Sequence, residues 1–183
     1  IPDTVLAKKL QKSFKNTLIV VNIPEYRLRI YEDSLELYSF PIRVGKNVKK
    51  YLKASDRVQD LRTKIGEGVI VKHFRNPIFT NPVTSKAYKF TRRDDKKLTK
   101  MPQIPSIETE INRLRSGQMI HVTTNPKTLG KAYSNGCIGL KEADAWVIYY
   151  YAPIATRINI GYNLKIVDEK GDSLVLKDIY RRR

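Results

Sequence analysis

Ser134-Asn135-Gly136-Cys137-Ile138 contains the only cysteine of this 183-residue chain, and the strand-like run Gln118-Met119-Ile120-His121 ends on a histidine sixteen positions before it. A lone thiol with a histidine elsewhere in the chain is a candidate nucleophile and base. Gly136 lets the backbone bend sharply before the thiol, so that amide N–H groups can point at a substrate oxyanion. The alternative is that Cys137 is a small buried apolar residue, the more frequent role of a single cysteine.

Three further stretches accompany this pair: Ile120-His121-Val122-Thr123-Thr124-Asn125-Pro126, Leu129-Gly130-Lys131-Ala132 and, upstream, Pro41-Ile42-Arg43-Val44-Gly45-Lys46. Together with the cysteine segment they resemble the YkuD-like L,D-transpeptidases. That family carries His-Gly-Thr-Asn-Asn-Pro, Ile-Gly-Lys-Ala and Ser-His-Gly-Cys-Ile-Arg at the same spacing. Residues 18–46 resemble the paired strands that open the family's domain, and residues 62–68 lie where it has a Thr-Pro-x-Gly turn. The resemblance covers about residues 18–168.

The resemblance implies a mainly β (β-rich α+β) protein, an L,D-transpeptidase-like β-sandwich or barrel with a few peripheral helices. It implies a catalytic domain over residues 18–168, preceded by a helical extension (1–17) and followed by a C-terminal strand and basic tail (169–183). Pro2 and the spacing of Leu6, Leu10 and Phe14 predict a helix over residues 2–14 of that extension.

The resemblance also implies a cysteine acyl-transferase that acts on peptidoglycan stem peptides through a thioester acyl-enzyme, for cell-wall cross-linking or protein attachment. Cys137 would be the nucleophile, His121 its base, and the amides of Gly136 and Cys137 the oxyanion donors. Val122 C=O or the hydroxyl of the next residue would orient the imidazole. The further candidates for oxyanion or substrate binding are Ser134, Asn135 and Thr123. Two alternatives stay open: an L,D-carboxypeptidase or hydrolase of the same fold, and a catalytically silent, basic wall-binding module.

The chain departs from the family pattern at three positions. Val122 replaces the glycine after the histidine, Asn135 replaces the histidine before Gly-Cys, and Gly139 replaces the arginine after Cys-Ile. An arginine can hold a carboxylate of the peptide stem through paired hydrogen bonds, whereas glycine cannot. Gly139 therefore puts substrate choice in question. The candidates to replace the missing charge, by their place in the sequence, are Lys131, Lys141, Arg92 and Arg93.

The composition is strongly basic, with 35 Lys and Arg against 18 Asp and Glu and a net charge of +17. Such a surface attracts polyanions over long range, so anionic envelope polymers are candidate partners. No recognition helix or RNP-like strand accompanies the scattered charges, and no nucleic-acid partner is expected. Two histidines and one cysteine do not predict a zinc site, and no phosphate-binding or dinucleotide motif predicts a cofactor.

The hydropathy pattern contains no apolar run long enough to predict a transmembrane segment. The chain starts at Ile1 without a leader, as a trimmed mature form or a fragment would. The resemblance implies a place in the bacterial cell envelope, either periplasmic or secreted.

Alternating or continuous apolar runs predict strands, at residues 18–23, 28–30, 35–38, 68–72, 157–160, 164–167 and 174–176. Residues 76–106 hold four prolines and many cations, and such a long connection predicts either a lid over the site, with Tyr88, Phe90 and Met101 as apolar contacts, or a disordered excursion. Ser106 is predicted to cap a helix with Ile107, Ile111 and Leu114 on its apolar stripe and Gly117 just past its end. A second helix is predicted over residues 142–151, its aromatic stripe forming core rather than a sugar-binding platform; the stripe is Ala143, Trp146, Val147, Tyr150 and Tyr151.

Overall fold

The computed structural model describes residues 16–52, 56–74, 78–80, 84–92, 96–101, 106–168 and 170–182. The predicted helix over residues 2–14 lies outside these residues. The described part of the chain is mostly strands, with one α-helix and one short 3₁₀ helix. Its α-helix is too short to span a membrane.

The strands and helices, in chain order, are β1 (Thr17–Asn22), β2 (Arg27–Glu32), β3 (Leu35–Pro41), β4 (Val44–Gly45), β5 (Lys49–Leu52), β6 (Arg57–Asp60), β7 (Gly66–Phe74), β8 (Phe90–Arg92), β9 (Leu98–Lys100), β10 (Ser106–Ile111), β11 (Met119–Val122), the 3₁₀ helix (Pro126–Thr128), β12 (Ala132–Ser134), β13 (Ile138–Leu140), α1 (Glu142–Tyr151), β14 (Arg157–Gly161), β15 (Lys165–Val167) and β16 (Ser173–Val175). The seven strands predicted from apolar runs are confirmed, with ends that differ by a few residues.

Eight of the strands form one sheet in the order β13-β11-β10-β7-β14-β1-β2-β3. Arg43, two residues beyond the end of β3, forms an isolated antiparallel bridge with Gly139 of β13. The continuation of the last strand therefore meets the first strand, and this bridge closes the sheet almost completely into a barrel. This confirms the predicted mainly β, barrel-like fold.

The interior of the barrel is filled by aliphatic side chains that alternate with outward residues along each strand. In β1, Ile19 and Val21 are fully buried, and they face Ile30 and Leu28 across the antiparallel pairing with β2. The same core includes Ile42, Ile70, Ile107, Ile120, Ile138, Leu140 and Ile160. The alternation is what leaves every second residue of β11 and β13 on the outer face, where the site lies.

Residues 106–111 form the strand β10, and the predicted helix was wrong. Ile107, Thr109 and Ile111 are buried, while Glu108 and Glu110 are partly exposed. An apolar pair four residues apart fits both a helical and a strand period, so the pattern alone did not decide. Pairing with β7 on one side and β11 on the other places this segment in the middle of the sheet.

The helix predicted over residues 142–151 is present as α1, but of its predicted core face only Val147 packs against the core, and the rest of that prediction was wrong. The buried residues of α1 are Ala145 and Ile148, and Ala152 directly after the helix is also buried, whereas Tyr150 is 50% exposed and stacks on Trp146. α1 packs closely on β10 and β11, and small or aliphatic side chains permit that approach better than aromatic rings do. The aromatic residues are therefore turned to the outer side of the helix.

Tyr180 ties the C-terminal segment to the loops beside the cysteine. Its side chain is 2% exposed, its hydroxyl donates to the Gly45 carbonyl at 2.8 Å, and it accepts from the Thr63 backbone N–H at 3.1 Å. Thr63 Oγ1 in turn donates to the Gly136 carbonyl at 3.0 Å. The C-terminal segment is therefore part of the structure that supports residues 134–137.

We expect Tyr180→Phe to lower the free energy of unfolding by about 2 kcal/mol, because the buried Gly45 carbonyl and Thr63 N–H both lose a partner. Chemical denaturation measures the change. The matched control is Tyr150→Phe, which removes a hydroxyl from an exposed ring on α1. Equal stabilities of the two variants would contradict a supporting role for the Tyr180 hydroxyl.

Candidate active site

The parallel pairing of β11 and β13 brings His121 and Cys137 to the same face of the sheet. Ile120 pairs with Ile138, and His121 pairs with Gly139. Both isoleucines point into the core, so His121 and Gly139 point outward, as does Cys137, two residues before Gly139. Residues sixteen apart in sequence thus become neighbours across two adjacent strands.

The imidazole of His121 is held by hydrogen bonds at both ring nitrogens. Nδ1 lies 2.8 Å from the Val122 carbonyl; since a carbonyl only accepts, Nδ1 carries the proton. This leaves Nε2 for the hydrogen bond that the ring makes with the Cys137 thiol. The Met119 backbone N–H also donates to the sulfur. The arrangement is that of a thiol paired with an oriented base.

Both groups have shifted pKa values. Burial opposes ionisation of each group and is the largest single influence, but the mutual hydrogen bond and the charge attraction together outweigh it. The pKa of Cys137 is therefore lowered and the pKa of His121 is raised. Such shifts favour a thiolate–imidazolium pair, the reactive form of a cysteine nucleophile.

Ser134 closes the cysteine loop with two hydrogen bonds. Its Oγ donates to the Cys137 carbonyl at 2.6 Å and accepts from the Gly136 N–H at 3.2 Å. Gly136 has φ +112°, a conformation that glycine adopts without strain. The Gly136 N–H is thus bonded within the loop, and it would have to exchange that partner to serve as an oxyanion donor. The role of the Gly136 and Cys137 amides stays a prediction.

We expect Ser134→Ala to slow acylation of Cys137 about 10-fold or more, because the loop loses both hydrogen bonds that shape it and a misplaced nucleophile reacts slowly. Reactions with a carbapenem are stopped at successive times, and intact-mass spectrometry gives the fraction of acylated protein and hence the rate. Ser173→Ala, the same substitution at an exposed position of β16, is the control. Equal rates in the two variants would show that the Ser134 hydroxyl does not position the thiol.

The other two predicted substrate-binding residues lie in different surroundings. Asn135 is exposed at the tip of the cysteine loop. Thr123 is buried, and its Oγ1 accepts from the Asn125 N–H at 3.2 Å and from Arg43 Nη1 at 3.1 Å. The Thr123 hydroxyl therefore supports the loop after β11 rather than orienting the His121 ring, which Val122 does.

Arg43 is the residue near the site that the sequence did not single out. Its bridge to Gly139 brings its side chain to the outer face of β13, the face that carries His121 and Cys137. Of the four cations considered from the sequence, Lys131 and Lys141 are exposed, and the Arg92 side chain and Arg93 lie outside the described residues. The sequence contained two features that together could have indicated it. One is the arginine in the Pro-Ile-Arg-Val-Gly-Lys stretch, and the other is the glycine at position 139, where the family has an arginine.

The second histidine lies away from this site. His73 Nε2 donates to the Ala152 carbonyl at 2.7 Å at the end of α1, its ring packs on Tyr149, and burial lowers its pKa. Within the described ranges, no group of three His, Cys, Asp or Glu side chains is placed to hold a metal ion.

The predicted lid is described only in part. The segments 84–92 and 96–101 contain the hairpin of β8 and β9, with Tyr88 and Phe90 exposed and Met101 partly exposed. Its closure over the site stays a prediction.

The fold is similar to that of solved L,D-transpeptidases. These include an L,D-transpeptidase from Mycobacterium smegmatis (14% identity, 80% of this chain and 58% of that chain, TM-score 0.55) and one from Xylanimonas cellulosilytica (14%, 80% and 60%, TM-score 0.56). A third is L,D-transpeptidase 3 from Mycobacterium tuberculosis in complex with a faropenem-derived adduct (16%, 79% and 60%, TM-score 0.55). The chain spans about three fifths of the length of these structures, and at such identities the likeness concerns the fold.

The family model for the L,D-transpeptidase catalytic domain, YkuD, matches residues 16–160. A comparison with curated proteins found no match. The barrel carries Cys137 and His121 on one face, on or beside adjacent strands. The chain belongs to the YkuD family of L,D-transpeptidase catalytic domains.

Proposed function

We propose that this protein is an L,D-transpeptidase that uses Cys137 as its nucleophile and peptidoglycan stem peptides as acyl donors. The observation that carries the proposal is the Cys137–His121 pair, in which Val122 holds the protonated Nδ1 and directs Nε2 to the thiol. Family membership supplies the reaction class. The pair supplies a nucleophile and a proton carrier in contact with each other.

In the first half-reaction, the Cys137 thiolate attacks the carbonyl carbon of the bond between an L-centre and a terminal D-amino acid. The tetrahedral oxyanion is stabilised by backbone amides of the cysteine loop, with the Cys137 N–H as the first candidate. The carbon–nitrogen bond breaks as the His121 imidazolium gives its proton to the departing amine. The products are a thioester on Cys137, a released D-amino acid and a neutral imidazole.

In the second half-reaction, an acceptor amine attacks the thioester carbonyl and passes its proton to the His121 imidazole. The carbon–sulfur bond breaks, a new peptide bond forms, and the thiolate–imidazolium pair is restored. The product is a cross-link or an attached protein. Water in place of the amine would give hydrolysis, and the balance between these outcomes depends on the acceptor site.

The proposed place of action is the bacterial cell envelope, where L,D-transpeptidase domains meet their substrate. The net charge of +17 would draw the protein to anionic envelope polymers and raise its local concentration near the wall. Because exposed charges are screened by salt, such an attraction would weaken as ionic strength rises.

The first test is intact-mass spectrometry after incubation with a carbapenem, a strained acyl donor. One adduct on the wild-type protein, at Cys137, is the expected result; a relative of similar fold has been solved with a faropenem-derived adduct. Incubation with a disaccharide-tetrapeptide and an amine acceptor then separates transfer from hydrolysis by product mass. Absence of any adduct on a folded sample would contradict the proposal and favour a silent wall-binding module.

A further inference from the structure

Arg43 joins the catalytic face through the strand pairing that closes the barrel. Its backbone N–H donates to the Gly139 carbonyl at 2.8 Å, and the Gly139 N–H donates to the Arg43 carbonyl at 3.0 Å. On the opposite edge of β13, Gly139 pairs with His121 of β11. Laterally paired residues share a face of a sheet, so His121, Gly139 and Arg43 form one row across β11, β13 and the bridged segment after β3, with neighbouring backbones about 5 Å apart.

Gly139 provides the room that the Arg43 side chain uses. A Cβ at position 139 would lie 2.7 Å from Arg43 Cγ and 3.0 Å from Cδ, closer than real Cβ contacts. Gly139 does not have the positive φ that would itself favour glycine. Space rather than backbone conformation is therefore the reason for the glycine, and a side chain at 139 would displace Arg43 from its present position.

The guanidinium is fixed by neighbours of the catalytic loop. Nη1 donates to Thr128 Oγ1 at 2.9 Å and to Thr123 Oγ1 at 3.1 Å, and Nη2 lies 3.4 Å from the Tyr133 carbonyl. The Arg43 side chain is half-buried. Its charge is close enough to lower the pKa of Cys137, in the same direction as the His121 imidazole does, and to oppose the upward shift in the pKa of His121. The site thus holds an oriented, partly desolvated cation beside the nucleophile.

We infer that Arg43 binds a carboxylate of the acyl donor and places the scissile carbonyl against Cys137. A fixed guanidinium attracts a carboxylate through its charge and through charge-assisted N–H donation, and partial burial strengthens such a pair. The inference rests on the proposed function, because it assigns a ligand group within that site. It makes Arg43 a specificity-determining residue, supplied by a segment almost a hundred positions from the cysteine.

The test compares a carbapenem, which carries one carboxylate, with its methyl ester on wild-type protein, Arg43→Gln and Arg43→Lys. The wild type should prefer the free acid by about 10-fold or more in second-order acylation rate, the scale of a charge-assisted bond. Arg43→Gln should lower this preference by about 10-fold or more relative to the wild type, and Arg43→Lys should keep part of it. The intrinsic reactivities of acid and ester cancel when the preference is compared between variants.

Two tetrapeptide monoamides then distinguish the source of the carboxylate, one amidated at the C-terminus and one at its side chain. The protein should react faster with the free tetrapeptide than with one of the two monoamides, and this difference in rate should depend on Arg43. Alkylation of Cys137 by iodoacetamide, which has no carboxylate, checks that the thiol of each variant remains reactive. An acid-over-ester preference that is equal in wild type and Arg43→Gln, with both still acylated, would overturn the inference. No acylation of the wild type by either form would instead contradict the proposed function and the inference with it.

Gly139→Ala is the second measurement, made in wild-type and Arg43→Ala backgrounds. With Arg43 present, the added Cβ should reduce the acid-over-ester preference; in the Arg43→Ala background, it should change nothing further. Melting curves establish that all four proteins are folded. If Gly139→Ala reduced the acid-over-ester preference equally in both backgrounds, the glycine would not be making room for a functional arginine. That result would also overturn the inference.

Discussion

Cys137→Ala is expected to abolish acylation by a carbapenem and to reduce peptide transfer by about 10⁴-fold or more, because no other thiol exists in the chain. Alanine keeps the Cβ of residue 137 and removes only the sulfur, so the hydrogen bonds between Ser134 and the backbone of the loop should persist. Intact mass measures adduct formation, and product mass from a disaccharide-tetrapeptide measures transfer.

The control for this prediction is the stability of the variant. Cys137 is partly exposed, and its replacement should change the melting temperature little compared with its effect on acylation. Cys137→Ser is a second variant, with a hydroxyl that is far less acidic than the thiol and is expected to form no adduct. Transfer activity in a folded Cys137→Ala sample would exclude the thioester mechanism.

His121→Asn is expected to lower the rate of acylation by about 10²- to 10⁴-fold, the usual contribution of a positioned acid–base group. The sharper expectation concerns pH. Because the pKa of Cys137 is lowered and the pKa of His121 is raised, each charged group favours the other, and the thiolate–imidazolium pair is most populated at intermediate pH. Acid destroys the pair by protonating the sulfur, and base destroys it by deprotonating the ring.

Iodoacetamide alkylation across pH measures the thiolate directly. In the wild type its rate should rise at a pH below about 8.5, the ordinary thiol pKa. In His121→Asn the rise should move to higher pH, because burial raises the pKa of a thiol that has lost its cationic partner. His73→Gln replaces the other histidine, which bonds the end of α1, and should leave the profile unchanged. Coinciding profiles for wild type and His121→Asn would contradict the pairing.

Both predictions depend on a site built by neighbouring strands rather than by one loop. The His121 ring is held by the residue next to it in β11, and the thiol is held by a loop that Ser134 and Thr63 support. Tyr180 contacts Thr63 from the far end of the chain. The geometry of the nucleophile therefore depends on the closed barrel.

The sequence predicted the parts of the site whose information is local. The cysteine loop, the strand that ends near His121 and most strands follow from motifs and runs of a few residues, because alternation and small-residue turns act over that distance. Local patterns failed where two periods fit one segment. Residues 106–111 satisfied a helical stripe and a strand alternation equally, and pairing with β7 and β11 chose the strand.

The outward turn of the aromatic residues on α1 has a similar cause. The pattern identified a helix with apolar and aromatic residues, but the face that is buried depends on how near the helix lies to the sheet. Ala145 and Ile148 allow close packing on β10 and β11, so Trp146 and Tyr150 stack outside. Helix–sheet distance is a tertiary property, and composition does not encode it position by position.

By itself, the sequence determined the family resemblance, the mainly β fold and the candidate pair of Cys137 and His121, because each of these is carried by short motifs and their spacing. Only the tertiary structure decided which cation stands beside that pair. Arg43 reaches Gly139 through the bridge that closes the barrel, a contact between segments that share no local pattern. The sequence shows that position 139 lacks the family's arginine, but only the folded structure shows that Arg43 lies beside that position. Lateral pairing in a sheet is independent of distance along the chain.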